Sequence, residues 1–398
     1  MKIALVSPAS LPATQFGGIM FLAVDLAKQF SKMGENVIIY TTDLDFANNP
    51  NTFNKNLPRE EEVEKFKIKR SHVWLNFALY FINPGMKKQM MNDDIDVIHT
   101  FGIRSFQSFI ASIVSKKKKI PLIISDQSGL TTHPDLKQKG ILFKILYFLQ
   151  NPFLKSIINQ ASKIIVANEY ESKIFQKFST ESKIAIVRNG VELSELTSDI
   201  DFKKKYDIEE KFILFLGRFN KVKGVDVLLD AIHILKEKNQ IKDVKFLIMG
   251  VDFGFEKEME KIIYKLQLDN LVKVIKKPSR EDVISAYKFC EFLVLPSRWE
   301  LSPLTPLEGF AFKKTVISTN AHGIPFTLKN NENSILIDSE NADLLANQII
   351  KLLNDEKERT RLGEAGFNFV KNIGNSKNMA EKTCDIYKEV LQNYNKQD

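Results

Sequence analysis

Leu295-Pro-Ser-Arg-Trp-Glu300-Leu-Ser-Pro-Leu-Thr-Pro-Leu-Glu308 sets two carboxylates eight residues apart across a strand-to-helix junction. The run Phe292-Leu-Val-Leu-Pro296 predicts a short buried strand that stops at a proline. Residues 303–312 predict the following helix, with Pro303 in its first turn, where a missing N–H costs nothing. Glu300 then lies in the turn and Glu308 within the first two helical turns. Free N–H groups at such a helix start can hold a phosphate. Pro303 has none to give, so Ser302, Leu304 and Thr305 are the candidate donors. Carboxylates beside them can accept hydrogen bonds from sugar hydroxyls. Phosphate and hydroxyls bound together suit a nucleotide sugar.

Outward from this junction the chain alternates strand-like and helix-like segments. Strands are predicted at 3–7, 37–41, 63–68, 96–100, 122–125, 164–167 and 184–187, with helices such as 19–33 and 104–115 between them. The second half repeats the scheme at 212–216, 244–249, 272–275, 292–295, 316–318 and 334–337. Continuous apolar strands alternating with helices mean parallel sheets covered on both faces. The expected architecture is α/β, with Rossmann-like domains at 1–192 and 193–376. The polar segment 192–210 reads as a linker. A last helix, about 377–398, is expected to return to the first domain. Open parallel sheets bind ligands at the carboxyl ends of their strands. Gly17-Gly18, Arg218 and Glu300 each follow such a strand end.

Two cations after a strand, Arg218 and Lys223, can neutralise a diphosphate, the first bidentate and the second as a point charge. Gly17 and Gly18 allow close approach of the backbone to a ligand. Asp126, followed by Gln127, ends the strand at 122–125. It can orient or deprotonate a hydroxyl, or serve as an Asx turn. His99 and His133 are further candidates on that side.

The Glu300/Glu308 spacing resembles the Glu-x7-Glu motif of retaining glycosyltransferases of the GT-B fold, most closely family 4. Phe215-Leu-Gly-Arg218 with Lys223-Gly224 is similar to the family's Gly-Arg and Lys-Gly segment. Phe16-Gly17-Gly18, Val187-Arg-Asn-Gly190-Val191 and Gly323-Ile-Pro325 match further family pieces in order. The resemblance implies two Rossmann-like domains facing across a cleft. It implies transfer of a sugar, with retention, from a UDP- or GDP-linked donor to a hydroxyl of a glycan or lipid-linked acceptor. By the same resemblance Arg218 and Lys223 hold the diphosphate, Glu300 lies near the donor sugar and Glu308 binds the ribose. Neither a metal nor another cofactor is implied, and no nucleic acid. Leu301-Ser302-Pro303 stands where the family has Gly-Phe-Gly, and Asp126 or Gln127 where it has a histidine. The donor sugar and base stay open. So do two other readings, a degenerate sugar- or partner-binding protein and a nucleotide-sugar epimerase. The lack of G-x-G-x-x-G after the first strand argues against a dinucleotide dehydrogenase.

At 398 residues and 44% hydrophobic composition the chain has material for two sizeable cores. Its two cysteines are too few for a disulfide framework. Met1-Lys-Ile-Ala-Leu-Val-Ser-Pro reads as a strand and not as a signal peptide, and no apolar run is long enough to span a membrane. A cytoplasmic protein is expected. Charge is uneven: residues 1–190 carry 25 Lys and Arg against 16 Asp and Glu, and the remainder 32 against 33. Segments 140–155 and 74–91 are aromatic, apolar and basic. With the lysines at 116–119 they suggest an anionic membrane surface as a partner, against the alternative of buried helices with solvated charges.

Overall fold

The computed structural model describes residues 1–45, 52–77, 80–127, 130 and 141–394, with the backbone alone at 141–147. The chain divides into two compact units, Met1–Gly190 with Ser376–Asp398, and Val191–Asn375.

In the first unit β1 (Lys2–Val6), β2 (Asn36–Thr42), β4 (Phe66–Ser71), β7 (Val97–Phe101), β8 (Leu122–Ser125), β9 (Lys163–Val166) and β10 (Ile184–Ile186) pair in parallel. The short β3 (Glu60–Val63) adds antiparallel to β4 at one edge, giving the order β10-β9-β8-β7-β1-β2-β4-β3. The single strand expected at 63–68 is therefore a hairpin. Its two-residue turn is Glu64-Lys65, with Glu64 at φ 56°, and neither residue is a turn signal. A second hairpin, β5 (Leu75–Phe77) with β6 (Tyr80–Ile82), stands apart from the sheet. β7 is buried along its whole length, as expected of a central parallel strand.

The C-terminal helix Ser376–Tyr394 packs on this first unit. Gln29 Nε2 donates to Ser376 Oγ at 3.1 Å, and the rings of Phe30 and Tyr387 lie 5.4 Å apart. His99 on β7 is 1% exposed, with Nδ1 2.6 Å from Tyr387 Oη and Nε2 2.9 Å from Ser125 Oγ. Burial lowers its pKa to about 3. This tells against its candidacy on the acceptor side: Nδ1 joins the sheet to the last helix and Nε2 ties β7 to β8.

The second unit has one parallel sheet, β11 (Lys211–Leu216), β12 (Val244–Gly250), β13 (Val272–Lys276), β14 (Leu293–Leu295), β15 (Val316–Thr319) and β16 (Ile335–Ile337). Its order, β13-β12-β11-β14-β15-β16, is the 3-2-1-4-5-6 of a doubly wound sheet, with the topological switch between β11 and β14. Residues 192–210 are not a free linker. Leu196, Phe202 and Ile208 are buried in the core of this unit, and Asp201 caps the short helix Phe202–Lys205. Three apolar anchors outweigh the polar composition on which the linker reading stood.

Candidate active site

The loops after β11 and β14 flank the switch of the second unit, where an open parallel sheet leaves a crevice. They meet backbone to backbone. Gly224 has φ 71°, and a Cβ there would lie 2.0 Å from the Pro296 carbonyl oxygen. Only glycine fits both constraints. Arg298 N–H donates to Val222 O at 2.8 Å, and the Arg298 guanidinium grips Asp226 through two bonds of 2.7 and 2.8 Å. Glu340 accepts from the same guanidinium at 2.8 Å. Arg298 thus braces the two loops, a role sequence reading missed because both partners are remote in sequence.

The brace holds Lys223 against Glu300, and their ammonium and carboxylate are in direct contact. Ser297 Oγ also donates to Glu300, at 3.3 Å. Asn220 caps the turn that carries Lys223, accepting its N–H at 3.2 Å. Behind Glu300, its carbonyl accepts from Gly323 N–H at 3.0 Å. A Cβ on Gly323 would meet the Leu301 carbonyl oxygen at 1.8 Å, so that glycine is required too. Arg218 is exposed and lies 4.9 Å from the Phe253 ring centroid, a cation–π contact.

Helix Leu304–Ala311 follows. Pro303 sits at its N-cap with φ −69° and ψ 136°, not inside the first turn as predicted. Ser302, Leu304 and Thr305 are half-buried, and of the three Thr305 lines one concavity with Lys223, Ser297 and Glu300. Pro306, the third helical residue, lacks an N–H as well, so Leu304 and Thr305 are the donors of the first turn.

Glu308 is 7% exposed and doubly held. Arg280 donates to Oε1 at 2.7 Å and Tyr287 Oη to Oε2 at 2.9 Å. Both partners come from helix Arg280–Phe289, seven residues apart and so on one face. Burial, and then the Glu308 charge, hold the Tyr287 hydroxyl well above its ordinary pKa. Neither partner was singled out from sequence, where the pair reads as an ordinary amphipathic helix.

In the first unit, Gly17 has φ 97° and forms the N-cap of helix Gly18–Lys32, directly after the loop that leaves β1. Asp126 is fully buried and accepts Leu130 N–H at 2.6 Å, the geometry of a side-chain-capped turn. Gln127, at φ 56°, exchanges two amide hydrogen bonds of 3.1 Å with Asn189. Asn189 belongs to the Val187-Arg-Asn-Gly190 piece. Glu171 was overlooked: it is buried, accepting Ala167 N–H at 2.7 Å and Gln127 N–H at 3.2 Å. Burial, with Asp126 nearby, pushes its pKa up to about 7. A pair of buried Asp43 and half-buried His72 just past the ends of β2 and β4, 2.5 Å apart, also escaped sequence reading. His133 lies outside the described residues. Among the described residues no cluster of His, Cys, Asp and Glu could hold a metal ion, and no helix is long and apolar enough to cross a membrane.

Two family models match the chain in succession. Residues 16–195 match Glycosyltransferase Family 4, and residues 197–369 match Glycosyl transferases group 1. An uncharacterized glycosyltransferase of Methanocaldococcus jannaschii is 27% identical over 72% of this chain and 73% of its own length. The capsular polysaccharide biosynthesis glycosyltransferase CapM of Staphylococcus aureus is 27% identical over 64% of this chain and 67% of its own. Among solved structures, sucrose-phosphate synthase of Thermosynechococcus elongatus superposes with a TM-score of 0.77 at 19% identity, covering 98% of this chain and 99% of that one. HepE of Anabaena in complex with UDP-glucose gives 0.75 at 17% identity, covering 98% and 100%. With two Rossmann-like sheets and both halves matched, the chain belongs to the GT-B glycosyltransferases of the family 4 type.

Proposed function

We propose that this protein transfers a sugar, with retention of configuration and without a metal ion, from a UDP- or GDP-linked donor to an acceptor hydroxyl. The acceptor is a growing glycan or a lipid-linked sugar at the cytoplasmic face of an anionic membrane. The observation that carries the reading is the Lys223–Glu300 pair at the switch of the second sheet, beside the N–H groups of Leu304 and Thr305. That HepE was solved with UDP-glucose and that CapM serves capsular polysaccharide biosynthesis support the donor and acceptor classes.

The chemistry follows from charge. As the bond to the anomeric carbon breaks, negative charge grows on the leaving diphosphate. Lys223, Arg218 and the two helix N–H groups are cationic or dipolar groups fixed in advance, which is how a protein stabilises such charge. Glu300 keeps Lys223 in place and faces the donor sugar, and Glu308 accepts from the ribose hydroxyls. Gly17 and Gly18 bring the first unit's backbone close to substrate, while Asp126 and Gln127 shape the acceptor side. The leaving phosphate itself takes the proton of a hydroxyl that attacks on the same face.

Titration calorimetry with UDP and GDP, with and without EDTA, tests the reading. One nucleotide should bind with an affinity that EDTA does not change. Binding abolished by EDTA overturns metal independence. Nucleotide bound with no donor sugar ever consumed in the presence of glycan or lipid-linked acceptors points to a degenerate binding protein.

A further inference from the structure

Strand β6 and the helices Phe106–Lys118 and Ile141–Gln160, all of the first unit, line an open apolar groove of about 230 Å³. A ladder of aromatic rings forms its wall. Tyr80 meets Phe106 edge-on at 6.2 Å, Phe106 lies 6.3 Å from Phe109, and Phe109 meets Phe153 edge-on at 5.5 Å. The rim is apolar as well. Six of the ten large hydrophobic side chains left exposed among the described residues fall in two short segments beside the groove. Trp74, Leu75 and Phe77 are on the hairpin, where Leu75 pairs with Ile82 and Phe77 with Tyr80, both groove residues. Phe148, Leu149 and Phe153 are on the helix. Such clustering marks a binding surface, since soluble surfaces scatter their exposed hydrophobics singly.

Charge says what the surface meets. Residues 97–168, which supply both helices of the groove, contain ten Lys and Arg and two Asp. One of those acids, Asp126, is fully buried, whereas Lys116, Lys117, Lys119 and Lys155 are exposed. Arg104 lines the groove and Lys155 is exposed two residues beyond Phe153. Aromatic and aliphatic projections on a segment of this basic excess match the interface of an anionic bilayer, where apolar side chains enter among the acyl chains and cations pair with headgroups.

We propose that the groove takes one hydrocarbon chain of an anionic membrane lipid, with Trp74, Leu75, Phe148 and Leu149 entering the interface around it. This deepens, and rests on, the reading of the first unit as the half that meets acceptor at an anionic membrane. The groove gives the protein a way to hold a lipid-anchored substrate by its chain while the donor occupies the other unit.

The experiment uses the full chain and its own reporter. Trp74 is 75% exposed and Trp299 is 7% exposed, so a Trp299→Phe variant reports on Trp74 alone. Monomeric lysophosphatidylglycerol should shift its emission to the blue and saturate near one lipid per chain. Phe153→Asp with Ile82→Asp, at exposed and half-buried positions, should weaken this binding at least about tenfold. Phe148→Asp with Leu149→Asp should abolish sedimentation with phosphatidylglycerol vesicles, which lysophosphatidylcholine and phosphatidylcholine vesicles do not reproduce at low salt. UDP is titrated into every variant. Lipid binding that never saturates, or that the groove substitutions leave unchanged, overturns the proposal. In the unsubstituted chain, lipid binding absent while UDP still binds tells against the groove, and UDP binding absent tells against the donor reading instead.

Discussion

The two units hold their candidate-site carboxylates by opposite means. In the second, Glu300 is paired with Lys223 and Glu308 with Arg280, so each acid sits against a cation. In the first, Glu171 rests on the N–H groups of Ala167 and Gln127, and Asp126 on that of Leu130. A cation keeps a carboxylate charged, whereas burial beside another carboxylate drives it toward the protonated form. The second unit therefore presents fixed charge, which suits binding an anion of constant charge. The first holds an acid whose proton comes and goes near neutral pH, with a pKa pushed up to about 7. A doubly wound sheet supplies the frame in both units, and the side chains on its carboxyl edge decide what each frame does.

The largest expected effect lies in the fixed-charge half. Lys223→Ala removes a cation and leaves Glu300 facing the diphosphate uncompensated. Turnover should fall by about 10²–10³, the usual loss for one preorganised electrostatic group. Adding Glu300→Gln to that variant should recover part of the nucleotide affinity, because the uncompensated charge is then gone. Steady-state kinetics and calorimetry on the single and double variants check this. Turnover unaffected by Lys223→Ala would erase the contrast between the units.

Legibility differed between the halves for the same reason. In the second unit the site is carried by side chains local in sequence, on loops with glycines and prolines that punctuate the text. Gly224 and Gly323 stand where a Cβ would strike a carbonyl oxygen, so their presence was readable as a constraint. The alternation of elements was readable from apolar runs alone. Partners from distant segments were not: Arg298 reaches Glu340, 42 residues away, and Arg280 reaches Glu308, 28 residues away. In the first unit the misreadings share one cause. His99 is predicted near the end of the strand at 96–100, yet it lies mid-strand in β7 and Tyr387, 288 residues on, covers it. Glu171 lies in the first turn of helix Glu169–Phe175, where an acid ordinarily serves only the helix dipole. In the second unit, the polar text at 192–210 hid Leu196, Phe202 and Ile208, the apolar anchors that dock the segment.

The next effect sharpens the first-unit side of the comparison. Glu171 has a folded-state pKa raised from 4.5 to about 7 by burial, by more than its two N–H bonds lower it. A carboxyl raised in this way favours the folded state only while protonated. Its contribution is fully present below the unfolded value and is lost as pH rises through about 7. Across that window stability should decline by roughly 3 kcal/mol on this account alone. Glu171→Gln cannot ionise, so its melting temperature should be flatter between those two pH values. Thermal unfolding measured across the window decides the matter. A slope identical to that of the parent chain would mean the acid is ionised throughout and the two units do not differ.

The smallest effect tests whether Glu308 belongs to the site or only to the packing of its helix. Its two oxygens already accept from Arg280 and Tyr287. Each carboxylate oxygen has a second lone pair, so both can still accept a ribose hydroxyl. Glu308→Ala should therefore weaken nucleotide binding by about 1–3 kcal/mol, the range for a lost hydrogen bond to a charged group. It also strands the Tyr287 hydroxyl, which is fully buried, so some stability should go as well. Tyr287→Phe separates the two contributions. It removes the buried hydroxyl and one hydrogen bond while leaving the carboxylate charged and paired with Arg280. Its nucleotide affinity should stay near that of the parent chain, whereas Glu308→Ala should lose affinity beyond any change in melting temperature. If both variants lose affinity equally, Glu308 acts through the position of its helix. The contact with nucleotide then falls to Lys223 and the helix N–H groups alone.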